Sequence, residues 1–367
     1  MSSPQPHPPA RALIAQGFAA FALAGALQAL YGPSVPALSR LHEILPSQAG
    51  SIVGAHAAGG LAGLLLNMAW AGITGRRALL LVAGGAAAMA AAPAWAITLA
   101  GAALVGAGCA LGSAVYNRRF LEEMEAKGPR MLGLLNAVFG IGAIAGPLVF
   151  VALGGSIAGA YGSLAALALG LAALSGGDGA RGAAAPRPRL GGALRRPGLL
   201  ALGGVGVGLE LSLAGLGPAA LVESGLSETR AALWAAAHFG VFLAARVALW
   251  WLADRVAPLR LLAASFAVAG GACATAALLG IEGPAFALSG GAVALLFPAY
   301  FVAATRRLGG GERMTALIVA APYLGATVVP AAMSLLLAQI GIGWLFAVTA
   351  PMALAAATAT LLARGQD

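Results

Sequence analysis

What constrains this chain most is a recurring run of uncharged residues. Apolar stretches of about 18 to 25 residues follow one another from end to end, each long enough as a helix to cross the ~30 Å hydrocarbon core of a bilayer. Hydrophobic residues make up 60% of the 367 positions and charged residues 9%, whereas soluble domains carry about 25% charge. So few charges cannot clothe a water-facing surface of this size. Backbone N–H and C=O groups inside lipid must be paired within their own segment, so the runs read as helices. The fold class is an all-α polytopic membrane protein.

Hydropathy together with Gly, Pro and charge punctuation predicts twelve spans. They lie at about 11–33, 47–73, 77–95, 98–117, 131–153, 157–175, 198–222, 229–252, 258–279, 283–304, 314–338 and 341–363. The longest polar connection, "SGGDGARGAAAPRPRLGGALRRPG", is rich in Gly, Pro and Arg and reads as a flexible linker. The expected organisation is a tail at 1–10, six spans at 11–175, a linker at 176–197, six spans at 198–363 and a tail at 364–367. The start, "MSSPQPHPPAR", lacks a cleavage-site pattern and reads as a disordered tail rather than a signal peptide.

The net charge of +9 is explained by topology, not by nucleic acid. With both termini inside, Arg40, Arg230 and Arg246 are the only exceptions among 21 Lys and Arg, which leaves 18 in or beside cytoplasmic loops. That asymmetry predicts a bacterial-type plasma (inner) membrane protein with both termini cytoplasmic. Cys109 and Cys273 both fall inside apolar runs and read as free buried thiols.

The second half echoes the first. "GALQALYGPSVPAL" aligns with "VGLELSLAGLGPAAL", placing Gln28 opposite Glu210 at an offset of 182. "GAHAAGGLAGLL" aligns with "AAHFGVFLAARV", placing His56 opposite His238 at the same offset of 182. "RMLGLLNAVFGIGAIAGP" and "RMTALIVAAPYLGATVVP" match at 183, and "NRRF" and "TRRL" at 188. Four matches in chain order indicate an internal repeat of half the length.

Two parallel six-span halves joined by a basic linker resemble the major facilitator superfamily over essentially the whole chain. The turn after span 2, "MAWAGITGRR", keeps Gly75, Arg76 and Arg77 of that family's motif, and the turn after span 8 keeps its Asp254-Arg255 pair. Span 5 carries "GIGAIAGP", where Gly142, Gly146 and Pro147 match the family's Gly-x-x-x-Gly-Pro element. Within the superfamily the chain is most similar to the fucose permease-like branch, on "VGAGCALGSAVYN", "LLNAVFGIGAIAGP" and "LAARVALWWLADRV". The resemblance implies two pseudo-symmetric six-helix bundles about a central cavity lined by spans 1, 4, 7 and 10. It also implies that the two turns act as conformational latches.

Four ionisable residues lie inside predicted spans: His56, Glu210, His238 and Arg246. A charge at the bilayer centre is costly and normally faces a cavity or a partner. Glu210 lies near the middle of span 7, in "GGVGVGLELSLAGLG". It reads either as a coupling carboxyl that takes and releases a proton or as one member of a static pair with Arg246. His56 and His238 read either as proton relays or as packing residues. Arg246 either clamps an anionic substrate group or serves the structure near the Asp254-Arg255 turn. Gln28, Tyr31, Asn136, Trp234, Tyr300 and Tyr323 complete an expected polar and aromatic lining.

No strand precedes the Gly runs and no Lys-Ser/Thr follows them, so they are not phosphate loops. No metal set, cofactor motif or catalytic constellation is present in the sequence, so the chain does not read as an enzyme. The expected function is secondary transport of a small solute, sugar-like or otherwise, by alternating access with a proton or other coupling ion. The expected partners are that solute, the ion and the lipid bilayer, with the protein a monomer. The alternatives are an efflux antiporter for drugs or metabolites, and a non-transporting membrane sensor or assembly partner.

Overall fold

The computed structural model describes residues 10–69, 73–124, 128–175, 197–252, 255–309 and 312–364, and its long elements are all helices. In order they are α1 (Ala10–His42), α2 (Ser51–Ala69), α3 (Gly75–Ala91), α4 (Trp95–Glu123), α5 (Gly128–Ala152) and α6 (Ile157–Leu174). The chain continues with α7 (Pro197–Glu223), α8 (Glu228–Leu252), α9 (Pro258–Leu279), α10 (Glu282–Leu308), α11 (Glu312–Ile340) and α12 (Leu345–Arg364). A single helical turn, Pro46–Ala49, precedes α2, and a short 3₁₀ turn, Ile342–Trp344, precedes α12. The expected tail at 1–9, the linker at 176–196, Asp254 and the last residues 365–367 lie outside the described residues.

Among the described residues eleven helices, not twelve, are long and apolar enough to cross a membrane by length and composition. The exception is α3, whose 17 residues rise ~26 Å at 1.5 Å per residue. It stops before the expected end because Ala92 turns left-handed, at φ 38°, just ahead of Pro93. Other boundaries move outward. α1 runs past its expected end through Pro33 and Pro36 to His42. α4 continues to Glu123, which places Arg118 and Arg119 inside the helix rather than in a loop. Arg119 Nε there donates to the Glu123 carboxylate at 2.7 Å.

The outer surface is apolar. Leu278 is 80% exposed, Leu174 75% and Leu335 72%, a pattern that suits contact with lipid chains rather than water. Trp250 and Trp251 are exposed at the end of α8, where amphipathic rings anchor a helix at a membrane interface.

The packing pattern repeats with a step of six helices. α1 packs on α5, α2 on α4, α3 on α4 and α3 on α6; correspondingly α7 packs on α11, α8 on α10, α9 on α10 and α9 on α12. Contacts across the middle obey the same step, with α5 on α8, α2 on α11 and α1 on α7. Close approaches at glycine recur in the same way. A Cβ on Gly142 would strike the Ala22 carbonyl, and one on Gly325 would strike Gly204. A Cβ on Gly106 would strike the His56 carbonyl, and one on Gly290 the His238 carbonyl. These partners are 182 to 184 positions apart, the offset of the sequence repeat. Small residues let helix backbones touch where lipid supplies no hydrophobic drive between helices.

Burial differs along the helices. All residues from 29 to 36 in α1 and from 211 to 221 in α7 are buried. Toward the chain termini, buried positions in both helices alternate with half-buried and exposed ones. The sealed end is stitched across the middle: Gly32 lies on Ala214 and Pro218, Gly50 on Leu216, Val53 on Gly215, and Gly54 near Thr327 and Ala331. Arg40 at the end of α1 forms an ion pair with Glu228 at the start of α8.

Gly142→Val and Gly325→Val should each lower the unfolding transition in detergent, by about 1–3 kcal/mol, because overpacking a helix contact forces the backbones apart. Gly170, with nothing within 4 Å of its Cβ position, is the matched control. Equal tolerance at all three positions would contradict this account of the packing.

Candidate functional site

Phe239 of α8 packs with Ala29 of α1, Ala143 of α5 and Ala214 of α7 in a small separate cluster. This aromatic plug marks the lower limit of the sealed end. Helical spacing fixes what lies beneath it, because residues four or seven apart share a face. Toward the termini from Phe239 the same face of α8 carries Arg246; from Ala143 the same face of α5 carries Asn136; from Ala214 the next turn of α7 carries Glu210. On α1, Gln28 lies one turn from Gly32, the residue against Ala214. Four of the expected site residues, Gln28, Asn136, Glu210 and Arg246, therefore stand one or two turns further along the helices that carry the plug.

Glu210 and Arg246 are both half-buried, and each charge acts on the other. Neither joins an ion pair among the described residues, where the pairs are Arg40–Glu228 and Arg119–Glu123. The static pair expected as one alternative is thus absent as a direct contact. The Arg246 guanidinium lies 4.9 Å from the centre of the Phe242 ring, and its Nε is buried without a hydrogen-bond partner. The Asn136 side-chain amide donates to the Leu132 carbonyl of its own helix at 2.9 Å.

A second polar group joins α1, α2 and α6. A 2.9 Å hydrogen bond links the Tyr31 hydroxyl and His56 Nδ1. Tyr31 stacks on Tyr161, whose hydroxyl donates to Ser34 Oγ at 3.2 Å. Tyr323 of α11 reaches across to Gly60 of α2, so this group also touches both halves of the chain. Ser34 and Tyr161 were not singled out in the sequence, where nothing distinguishes them from other isolated hydroxyls in apolar runs.

Two expected lining residues, Tyr300 and Trp234, and one expected proton-coupling residue, His238, make packing contacts. Tyr300 is fully buried against Gly203, and its hydroxyl donates to the Ile318 carbonyl at 3.0 Å. That bond fastens α10 to α11 and removes Tyr300 from any cavity wall. Trp234 packs on Gly283 near the sealed ends of α8 and α10. His238 is fully buried; its Nδ1–H donates to the Phe286 carbonyl at 2.9 Å, and its ring stacks on Phe286 at 4.6 Å. Its Nε2 has no hydrogen-bond partner among the described residues.

The motif residues fall where their chemistry suits them. Gly142 and Gly146 let α5 lie on the α1 backbone at Ala22 and Ala26, and Pro147 follows within the same helix. Arg76 and Arg77 open α3, where the Thr74 hydroxyl accepts from the Arg77 amide. Arg255 donates to the Trp251 carbonyl at 2.9 Å, capping the end of its own helix. Cys109 and Cys273 are free thiols, half-buried and buried. Among the described residues no group of three or more His, Cys, Asp or Glu is placed to hold a metal ion. A small crevice between α1, α3 and α4 has a mostly apolar lining, with Cys109, Ser113 and Tyr116 as its polar members.

No protein-family model matches the sequence, and no curated protein sequence does. Solved structures do match over nearly the full length. The fucose:proton symporter of E. coli is 18% identical and superposes with a TM-score of 0.60 over 95% of this chain and 98% of that one. A D-xylose-proton symporter is 15% identical, with a TM-score of 0.72 over 95% and 97%. A POT family transporter, solved with a thioalcohol-conjugated peptide, is 13% identical, with a TM-score of 0.76 over 97% and 96%. At these identities the likeness shows the fold alone, and this chain shares the fold of these three solved structures.

Proposed function

We propose that this chain is a secondary transporter that moves a small solute across a membrane by alternating access, driven by protons. The observation that carries the proposal is the pair Glu210 and Arg246: opposite charges inside membrane helices, beneath the Phe239 plug, without a direct contact between them. A purely structural pair would close into contact, since an unneutralised charge in the membrane is costly. A working site keeps the charges apart for a ligand and a proton.

In this reading residues 11–175 and 198–363 form two six-helix bundles about an axis between α1 and α7. Gly32 touches Ala214, its own counterpart at the offset of 182, which is the self-contact expected on such an axis. Gln28 and Glu210 are likewise counterparts and flank that axis one turn lower. The charge asymmetry favours cytoplasmic termini, so the sealed end faces outward and the structure is the inward-facing state. Glu210 is the coupling carboxyl: it binds a proton in one state and releases it in the other, so that the gradient biases the cycle. Gln28, Asn136 and Arg246 line the substrate site. His56, held by Tyr31, is a further proton-handling candidate. His238 holds α8 on α10, and its bare Nε2 is the one atom through which it could join the relay.

Glu210→Gln, which mimics the protonated acid, should reduce gradient-driven accumulation in proteoliposomes at least about tenfold, the equivalent of 1.4 kcal/mol, while counterflow exchange persists. Full accumulation by Glu210→Gln would remove the carboxyl from coupling.

The Arg40–Glu228 pair joins α1 to α8 across the sealed end and must part whenever that end opens. An exposed pair of this kind contributes about 0–1 kcal/mol, so Arg40→Glu should raise the outside labelling rate of a cysteine at Gln28 by up to about fivefold. The reading requires a background in which Cys109 and Cys273 are alanine. Adding Glu228→Arg should restore the slow rate; an unchanged rate in the single variant would make the pair a bystander.

A further inference from the structure

Resting on the transporter reading above, we infer that the solute is a small organic monoanion, a carboxylate with an apolar body, bound through the Arg246 guanidinium beneath Phe239. Three observations point this way. Arg246 Nε is buried and has no hydrogen-bond partner among the described residues, and a guanidinium presents paired donors that match a carboxylate in two parallel bonds. The Phe242 ring, 4.9 Å away, holds the guanidinium on one side and leaves its donors for a ligand. Glu210 acts on Arg246 by charge and does not contact it, so the donors are not consumed by the protein's own carboxylate.

The rest of the site argues against a neutral polyol. Above Arg246 stand Phe239, Ala29, Ala143 and Ala214. Of the polar groups nearby, Asn136 already spends a donor on Leu132, and Gln28 offers one amide. A sugar brings several hydroxyls, and each one left unpaired on burial opposes binding. A carboxylate on an apolar stem needs one strong polar partner and otherwise apolar walls.

Anion and proton then travel together. In the empty site the Arg246 cation and the Glu210 anion sum to zero. When a ligand carboxylate takes over Arg246, Glu210 loses its counter-charge and accepts one proton from water, and the sum is again zero. Both forms can therefore reorient without carrying net charge across the bilayer. Away from their end turns, the helices packed on α7 carry as ionisable groups Tyr31 of α1, His56 of α2, His238 and Arg246 of α8, Tyr300 of α10 and Tyr323 of α11. Tyr31, His238 and Tyr300 hold the internal hydrogen bonds described above.

The test is ligand-induced stabilisation of the full chain in nanodiscs, read as a shift in unfolding midpoint. The probes are lactate, butyrate and benzoate, each beside its neutral amide, together with fucose and xylose. A carboxylate should raise the midpoint where its amide does not. Arg246→Gln should weaken that binding about 10- to 100-fold, Arg246→Lys should retain part of it, and Glu210→Gln should keep it. A melt without ligand shows that each variant is folded, and Arg246→Lys reports on the charge if Arg246→Gln is not. The inference is overturned if no carboxylate binds, if an amide or sugar binds as tightly, or if Arg246→Gln leaves anion binding intact. Loss of coupled accumulation with Arg246-dependent anion binding preserved would instead sink the transporter reading and leave the site standing.

Discussion

Backbone contact at small residues is what the rest of this molecule depends on. Within lipid, apolar side chains gain little by leaving one helix surface for another, so helices hold together by close fit and hydrogen bonds. The fit is made at Gly142 on Ala22, Gly106 on His56, and their counterparts Gly325 on Gly204 and Gly290 on His238. Each contact fixes the rotation of a helix about its own axis, because only one face carries the glycine. Rotation in turn decides which side chains face the middle. α5 lies on α1 through Gly142 and Gly146, which turns Ala143 toward α7 and α8.

That arrangement puts the few ionisable groups of the spans to different uses. The two histidines are equivalent in the repeat, and both have Nδ1 in a hydrogen bond, yet their partners differ. His56 meets a tyrosine hydroxyl of a neighbouring helix, whereas His238 meets a backbone carbonyl and is sealed beneath Phe286. Glu210 and Arg246 have no such commitments. In the sequence repeat Gln28 occupies the position equivalent to Glu210, so the carboxyl belongs to the second repeat alone.

Much of the frame was legible in the sequence because lipid permits so few alternatives. Runs of apolar residues could only be helices, and the repeat offset recurs in the glycine contacts. The candidate site was readable where charge made residues conspicuous, as with Glu210 and Arg246, whose charges act on each other. It was not legible where function and packing use the same residue types. Phe239 reads as one more apolar residue, and its role depends on three alanines from other helices. Tyr300 looked like a lining residue because a phenol suits a cavity, but a glycine at 203 opens the space that buries it. The Arg40–Glu228 pair joins charges 188 positions apart, and the sequence shows each only as an exception in a loop. The early stop of α3 at Ala92-Pro93 was a local signal overridden by the hydropathy of the residues beyond it.

The account stands or falls on whether one proton accompanies the solute through the Glu210 and Arg246 site. The direct measurement is internal pH, followed with a trapped dye in proteoliposomes held at zero membrane potential, after a monocarboxylate that binds the protein is added outside. The account predicts acidification with one proton per anion in the native chain and none in Glu210→Gln. Solute entry without acidification, or equal acidification in the variant, would contradict it.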